Sequence, residues 1–305
     1  MALSSAPGSS PGARDLRALA LRVDEFVQLM KPGILSLLLV TMLCGMMVAV
    51  NGAPPLGLTI FALIGGTLAA GGANALNCFI DRDIDAVMPR TQKRGTASGT
   101  ISPREALVFG VTVSAAAVLL LGLTTTWLAA GLALAGNLYY VFVYTLWLKR
   151  RTPQNIVIGG AAGAFPPLVG WAAVTGQLSV LAVLMFAIIY YWTPPHFWAL
   201  ALLKQGEYGR VGVPMLPVVA GEAETRRQIL LYSILLAAIS IIPVAFGLGE
   251  IYLAGALVLN GLFLLGAVRL SVSPSKANAR ALFFASLWYL ALIFAVMVVD
   301  RAVLA

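Results

Sequence analysis

Asn74-Ala-Leu-Asn77-Cys-Phe-Ile-Asp81-Arg-Asp83-Ile-Asp85 closes a long apolar run, and it places three carboxylates where a membrane helix is normally greasy. An ionisable group at the centre of such a helix costs about 2.5–3.5 kcal/mol on insertion scales, so it usually faces a protein cavity and has a task there. Asn74, Asn77, Asp81 and Asp85 recur at three or four residues and share one helix face. Carboxylate and amide oxygens on one face are hard ligands suited to Mg²⁺. Arg90, Lys93 and Arg94 follow within a dozen residues. Carboxylates for a metal with cations for the remaining oxygens is the arrangement that a diphosphate requires. A salt-bridged helix end that serves only topology is the plainer alternative. Asp83 falls about 200° round from Asp81 and is expected outside the metal shell or paired with Arg82.

The rest of the chain makes this a membrane helix. Of 305 residues, 60% are hydrophobic and 10% charged, with a mean hydropathy of +0.92. Soluble domains carry roughly 25% charged residues, so a soluble enzyme is excluded. The expected class is all-α: a polytopic bundle with apolar spans near 33–51, 57–77, 106–123, 127–147, 155–174, 178–199, 229–247, 251–270 and 281–299. Every Lys and Arg except Arg301 falls in or beside alternate connections, which the positive-inside rule places in the cytoplasm. The N-terminus is then cytoplasmic and the C-terminus outside. The net charge of +8 reflects topology and contact with the lipid bilayer, and no nucleic acid is expected as a partner.

Residues 1–13 read as unstructured rather than as a cleavable signal. Over 14–30, Leu16, Leu19, Val23, Phe26, Val27 and Met30 sit near helical spacing, as in an amphipathic interfacial helix or an ordinary lead-in. The domain division is therefore 1–27 for the N-terminal segment and 28–305 for one nine-helix unit. Cys44 and Cys78 lie in or beside apolar stretches, so no disulfide framework is expected. Two connections, about 78–105 and 200–228, are longer than the others. The second carries Lys204, Glu207, Tyr208 and Arg210, with Glu207 the acid nearest its helix. Gly-rich runs at 65–72 and 159–163 suit close helix packing. Pro166-Pro167 and Pro194-Pro195 are expected to kink or interrupt their helices and make room for a ligand.

The acid motif resembles that of the UbiA-like intramembrane prenyltransferases. Longer strings narrow the likeness: Tyr144-Thr-Leu-Trp-Leu-Lys149-Arg-Arg-Thr152-Pro-Gln-Asn155, Gly159-Gly-Ala-Ala-Gly-Ala-Phe-Pro166-Pro167, Trp192-Thr-Pro-Pro-His196-Phe-Trp198-Ala, and Glu207-Tyr208 with Gly212-Val-Pro214-Met215-Leu-Pro217. These resemble the protoheme IX farnesyltransferases, the haem O synthases, from about residue 28 to the last span. The resemblance implies nine helices around a central cavity, capped on the cytoplasmic side by the two long loops, in a bacterial-type inner membrane. It implies farnesyl transfer from farnesyl diphosphate to a vinyl group of haem b, with water addition, giving haem O. It assigns Asn77, Asp81 and Asp85 to Mg²⁺, and Arg90, Lys93, Arg94 and Lys149 to the diphosphate, with Asn74 beside them. Glu207 stands where the family's second motif often has Asp. Gly95 follows Arg94 where the family usually has Pro. Haem A synthase or oxidase assembly proteins are possible partners.

Phe79, Tyr139, Tyr140, Phe142, Tyr144, Tyr190 and Tyr191 are candidate walls around an allylic cation, or plain packing. His196, the chain's only histidine, is a candidate haem-iron ligand, propionate partner or proton carrier, or a hydrogen-bonded link between helices. A prenyltransferase for a quinone or chlorophyll-type acceptor, a transporter or haem carrier, and a non-catalytic assembly factor are the competing readings. The transporter suits nine spans with broken helices, but acids clustered beside bases on one rim favour phosphoester chemistry.

Overall fold

The structure, a computed structural model, describes residues 11–304, with side chains from residue 20 onward. Among these residues there are helices and no strands. An amphipathic helix α1 (Pro11–Leu29) precedes nine helices long and apolar enough to cross a membrane. These are α2 (Pro32–Val50), α3 (Leu56–Ile80), α4 (Pro103–Thr124), α5 (Trp127–Leu148), α6 (Asn155–Thr175), α7 (Val180–Leu203), α8 (Gly221–Phe246), α9 (Glu250–Val272) and α10 (Lys276–Leu304). α1 starts at Pro11, inside the stretch expected to be unstructured; residues 1–10 lie outside the described residues. Phe26 of α1 packs on Phe109 of α4, with ring centroids 5.0 Å apart, and Leu29 is buried.

Neighbouring helices in sequence pack together from α2 to α10, and α10 packs back on α2, which closes the bundle into a ring. Turn chemistry sets the starts. Ser102 and Glu105 form a reciprocal capping box on α4. Thr126 and Ser179 accept backbone N–H bonds at the starts of α5 and α7. The lipid-facing sides keep exposed Leu, Val, Ile and Phe, as a membrane protein requires. Glycine permits the closest helix approach. A Cβ on Gly45 would lie 2.6 Å from the Pro167 carbonyl oxygen, and one on Gly170 would collide with the Met42 carbonyl oxygen, so α2 and α6 touch backbone to backbone.

Four helices depart from the expected plan. The second half of α5, Tyr139–Leu148, is π-helical, with Lys149 N–H bonded to the Tyr144 carbonyl five residues back. α6 is broken by a 3₁₀ segment, Gly160–Ala164, and Pro166-Pro167 then sit in the first turn of its second half, where proline costs nothing. Pro194 and Pro195 do not interrupt α7, which runs unbroken from Val180 to Leu203. α8 begins at Gly221, eight residues before its apolar run, because Glu222, Glu224, Arg226 and Arg227 are helical too. The long connections fold into short helices: Arg82–Val87 and Gly95–Ser98 in the first, Gln205–Arg210 and Leu216–Val219 in the second.

Candidate active site

A cavity of about 570 Å³ lies inside the ring. Its depth is apolar and aromatic: Leu37, Met42, Val169, Ile189, Phe165, Trp192 and Phe283 line it, with small residues Ala69, Ala73, Gly136 and Gly163 leaving the space. Its mouth is ionic: Lys31, Asn74, Asn77, Asp85, Arg90, Arg94 and Lys149 line it there. An apolar well under a charged rim suits an amphiphile with an anionic head.

The carboxylates are held by the helix end on which they sit. α3 stops at Ile80, and Asp81 marks the junction with the short helix Arg82–Val87, so Asp81 and Asp85 stay one turn apart. Both are almost fully buried, 1% and 4% exposed. Lys149 pairs with Asp81 Oδ2, and Arg150 Nη2 lies 3.5 Å from Asp81 Oδ1. Arg94 Nη1 donates to both oxygens of Asp85 (2.9 and 2.8 Å). Asn77 Nδ2 donates to Asp81 Oδ2 (2.7 Å) and to Thr145 Oγ1 (3.1 Å). The π-helical turn of α5 re-aims the face that carries Thr145 to Asn77 and Lys149 to Asp81.

Asn74 is turned to other work: its Nδ2 donates to the Met30 carbonyl (3.0 Å) and ties the end of α1 to α3. Arg90 reaches across to the second loop. Its guanidinium lies 3.7 Å from Glu207 Oε2 and 3.4 Å from the Tyr208 hydroxyl, and 5.9 Å above the Tyr208 ring. Glu207 is also held by Lys204 (2.7 Å). The two long connections thus meet over the cavity mouth. Lys93 is exposed, does not line the cavity and has no ion pair within 4.0 Å among the described residues, because the turn that aims Arg94 inward points its neighbour away. Asp83 pairs with Arg150 through two 2.7 Å bonds rather than with Arg82, which bends back onto the Phe79 carbonyl and ring. The Arg150 guanidinium beside it holds the Asp83 carboxyl down at about 2.

Lys31 is the site residue that the sequence reading passed over. It caps α2 in a left-handed conformation (φ 57°, ψ 62°), which costs a non-glycine residue about 1 kcal/mol or more. Pro32 disfavours the ordinary helical alternative at that position. Its Nζ donates to Asn77 Oδ1 (2.7 Å). Enclosure by protein pushes its pKa below the ordinary lysine value; Cys78 opposes the fall, Arg94 adds to it, and Asp85 and Asp81 oppose it. The Lys-Pro pair before the first span was the available signal.

Of the candidate aromatic walls, Tyr140 and Tyr144 line the cavity and stack on each other with centroids 5.4 Å apart. Phe142 is 57% exposed on the outer side, and Phe79, Tyr139, Tyr190 and Tyr191 do not line the cavity. Phe165, Trp192, Phe197 and Phe283 do. His196 lines it as well, from the proline-containing stretch of α7.

The residues present fit a Mg²⁺ ion. Among the described residues Asp81 Oδ1 is buried with no hydrogen-bond partner, as is Glu207 Oε2, and Asn77, Asp81 and Asp85 offer oxygen ligands. No cluster of three His, Cys, Asp or Glu side chains occurs among the described residues. Mg²⁺ keeps waters and takes one or two carboxylates plus substrate phosphate, so it does not require such a cluster.

Fold and site together define a polytopic helical membrane protein whose enclosed apolar cavity opens at an ionic rim. The chain belongs to the UbiA prenyltransferase family, whose model matches residues 38–292. It is 53% identical over 297 residues to a protoheme IX farnesyltransferase from Chloroflexus aurantiacus, covering 97% of this chain and 51% of that protein. It is 54% identical over 285 residues to one from Thermus thermophilus, covering 92% and 46%. The chain thus spans about half the length of these relatives. A protoheme IX farnesyltransferase from Symbiobacterium thermophilum is 50% identical over 291 residues, which cover 94% of this chain and 97% of that one. Among solved structures, a digeranylgeranylglyceryl phosphate synthase superposes with a TM-score of 0.76 at 17% identity, covering 92% and 98%. A UbiA homologue from Archaeoglobus fulgidus bound to GPP and Mg²⁺ superposes at 0.63 with 14% identity, covering 90% and 99%. Those two likenesses carry the fold.

Proposed function

We propose that the protein transfers a farnesyl group from farnesyl diphosphate to a vinyl carbon of haem b, with addition of water, giving haem O. The observation that carries the reaction type is the mouth of the cavity: Asp85 lines it with Lys31, Arg94 and Lys149 over an apolar well, and the buried Asp81 stands behind Lys149, paired with it. The acceptor is supported by the relatives named protoheme IX farnesyltransferase, and the metal by the fold neighbour bound to GPP and Mg²⁺.

Asn77, Asp81 and Asp85 would hold Mg²⁺, and Arg90, Arg94, Lys149 and Lys31 the diphosphate oxygens. Lys93, on the outer side of the loop, serves the approach of the anion rather than its seat. Bound Mg²⁺ supplies charge neutralisation for the diphosphate as it leaves. The cations around it stabilise the same charge without reorganising, because ion pairs already fix them. The allylic cation that remains is shielded from water by the apolar well, with the Tyr140 and Tyr144 rings near the mouth. The vinyl π electrons form the new C–C bond, and water adds to the resulting cation beside the porphyrin ring and loses a proton. No side-chain nucleophile is required. The ionic rim lies on the cytoplasmic side of a bacterial inner membrane, in line with the positive-inside distribution of Lys and Arg. Haem A synthase is a partner by the chemistry of the product alone.

The test is conversion of haem b and farnesyl diphosphate to haem O by membranes containing the protein, followed by chromatography, with and without chelator. Full activity after exhaustive chelation would remove Mg²⁺ from the reading. Conversion of a quinone precursor, with haem b left unchanged, would replace the acceptor.

A further inference from the structure

Among the described residues, His196 has one of its two ring nitrogens engaged. Its Nδ1 lies 2.6 Å from the Ser286 hydroxyl on α10. The same hydroxyl lies 2.6 Å from the Phe283 carbonyl oxygen. Two oxygens that close need a proton between them, and the carbonyl has none, so Ser286 donates to Phe283. Ser286 Oγ must then accept, and the imidazole carries its proton on Nδ1. Donation to the carbonyl makes the hydroxyl oxygen a better acceptor, which reinforces that choice. The ring cannot turn away: Trp192 stacks on it at 4.4 Å and Phe283 at 4.7 Å, with Phe197 edge-on at 5.1 Å. Trp192 is itself fixed, its indole N–H donating to the Ser286 carbonyl (2.7 Å). Among the described residues Nε2 has no partner, yet it is not sealed among buried atoms, and His196 lines the cavity. Its lone pair is open to whatever fills the well.

We propose that Ser286 is a positioning residue that locks His196 as the Nδ1–H tautomer, so that Nε2 ligates the metal of a porphyrin held in the cavity. This rests on the haem acceptor proposed above. A metal-bound histidine typically gives its other N–H to a fixed acceptor, and loss of that acceptor weakens the metal bond about 10- to 100-fold.

Since the chain holds one histidine, ¹⁵N-histidine labelling of the whole protein without a histidine tag gives a single imidazole spectrum. The expected wild-type signal is protonated Nδ1 and bare Nε2. Zinc protoporphyrin should shift Nε2, and metal-free protoporphyrin should leave it in place. Ser286→Ala should mix the tautomers and weaken zinc protoporphyrin roughly tenfold while leaving the metal-free ring unaffected, and Ser286→Thr should restore both. A wild-type Nε2–H tautomer, or equal Nε2 shifts with the two porphyrins, overturns the proposal. Failure of either porphyrin to bind overturns the haem acceptor and the ligation with it. Because no farnesyl diphosphate is present, failure of prenyl transfer alone leaves the result standing.

Discussion

At the scale of single residues, Asp81 and Asp85 are where burial and charge meet. Each is nearly sealed from solvent and has a cation within bonding distance, so removing either partner would strand a buried charge. Asp81→Ala and Asp85→Ala should each lower haem O formation by about 10²–10³-fold, the cost of removing one stabiliser of developing charge, as measured in the membrane conversion assay. Wild-type output from either variant would sink the metal assignment. Lys31→Met should weaken farnesyl diphosphate more than it slows turnover, read as a rise in KM. Asp83 is the contrast. Its pKa is depressed to about 2 beside Arg150, so its pairing is fully present above about pH 4 and is lost as pH falls through 2. It is 62% exposed, which limits its worth to below about 1 kcal/mol. Asp83→Asn should leave activity intact and should change acid unfolding in detergent only below pH 4.

Individual helices show what periodicity carries and what it omits. Of Asn74, Asn77, Asp81 and Asp85, spaced to share one helix face, the first two lie on α3 and the last two beyond its end, and Asn74, Asn77 and Asp85 line the cavity. The spacing did not separate their work: Asn74 holds a backbone carbonyl, while the other three meet the cations. Hydropathy located α5, but nothing in a run such as Tyr-Tyr-Val-Phe-Val-Tyr distinguishes a π-turn from an α-turn. That difference depends on Thr145 bonding both the Tyr140 carbonyl and Asn77 of another helix. α7 teaches the reverse. Its two prolines looked like a break, yet packing against α8 and α10 keeps it continuous. The α2–α6 contact gives a prediction at this scale. Gly170→Ala puts a methyl group against the Met42 carbonyl, so it should destabilise the protein by about 1–3 kcal/mol, seen as a lower Tm in detergent.

The molecule as a whole is a ring closed by α10 on α2, with the two long connections bridged over its mouth by Arg90. Arg90→Ala should loosen that bridge without emptying the site. The expected outcome is faster proteolysis within 204–220 in the substrate-free protein and a several-fold rise in KM for the diphosphate, with kcat nearly unchanged. Reporter fusions should place the N-terminus in the cytoplasm and the C-terminus outside; the opposite result would move the ionic rim to the other face of the membrane.

Composition, the 20-residue apolar periods and the three-or-four spacing of polar groups were enough to establish a nine-span helical membrane protein with an acid-lined helix end. These are local properties: bilayer thickness and helix pitch act on each segment without reference to any other. The longer sequence strings added the family. Which cation answers which acid was decided only in three dimensions. So were the position of Lys93 outside the cavity lining, that of Lys31 within it, and the contact of Ser286 with His196. Those outcomes depend on distances of about 3 Å between residues 46, 68 and 90 positions apart. Only the closed ring sets such distances, because the energy of a hydrogen bond or ion pair falls away within a few ångströms while sequence separation says nothing about where two side chains meet.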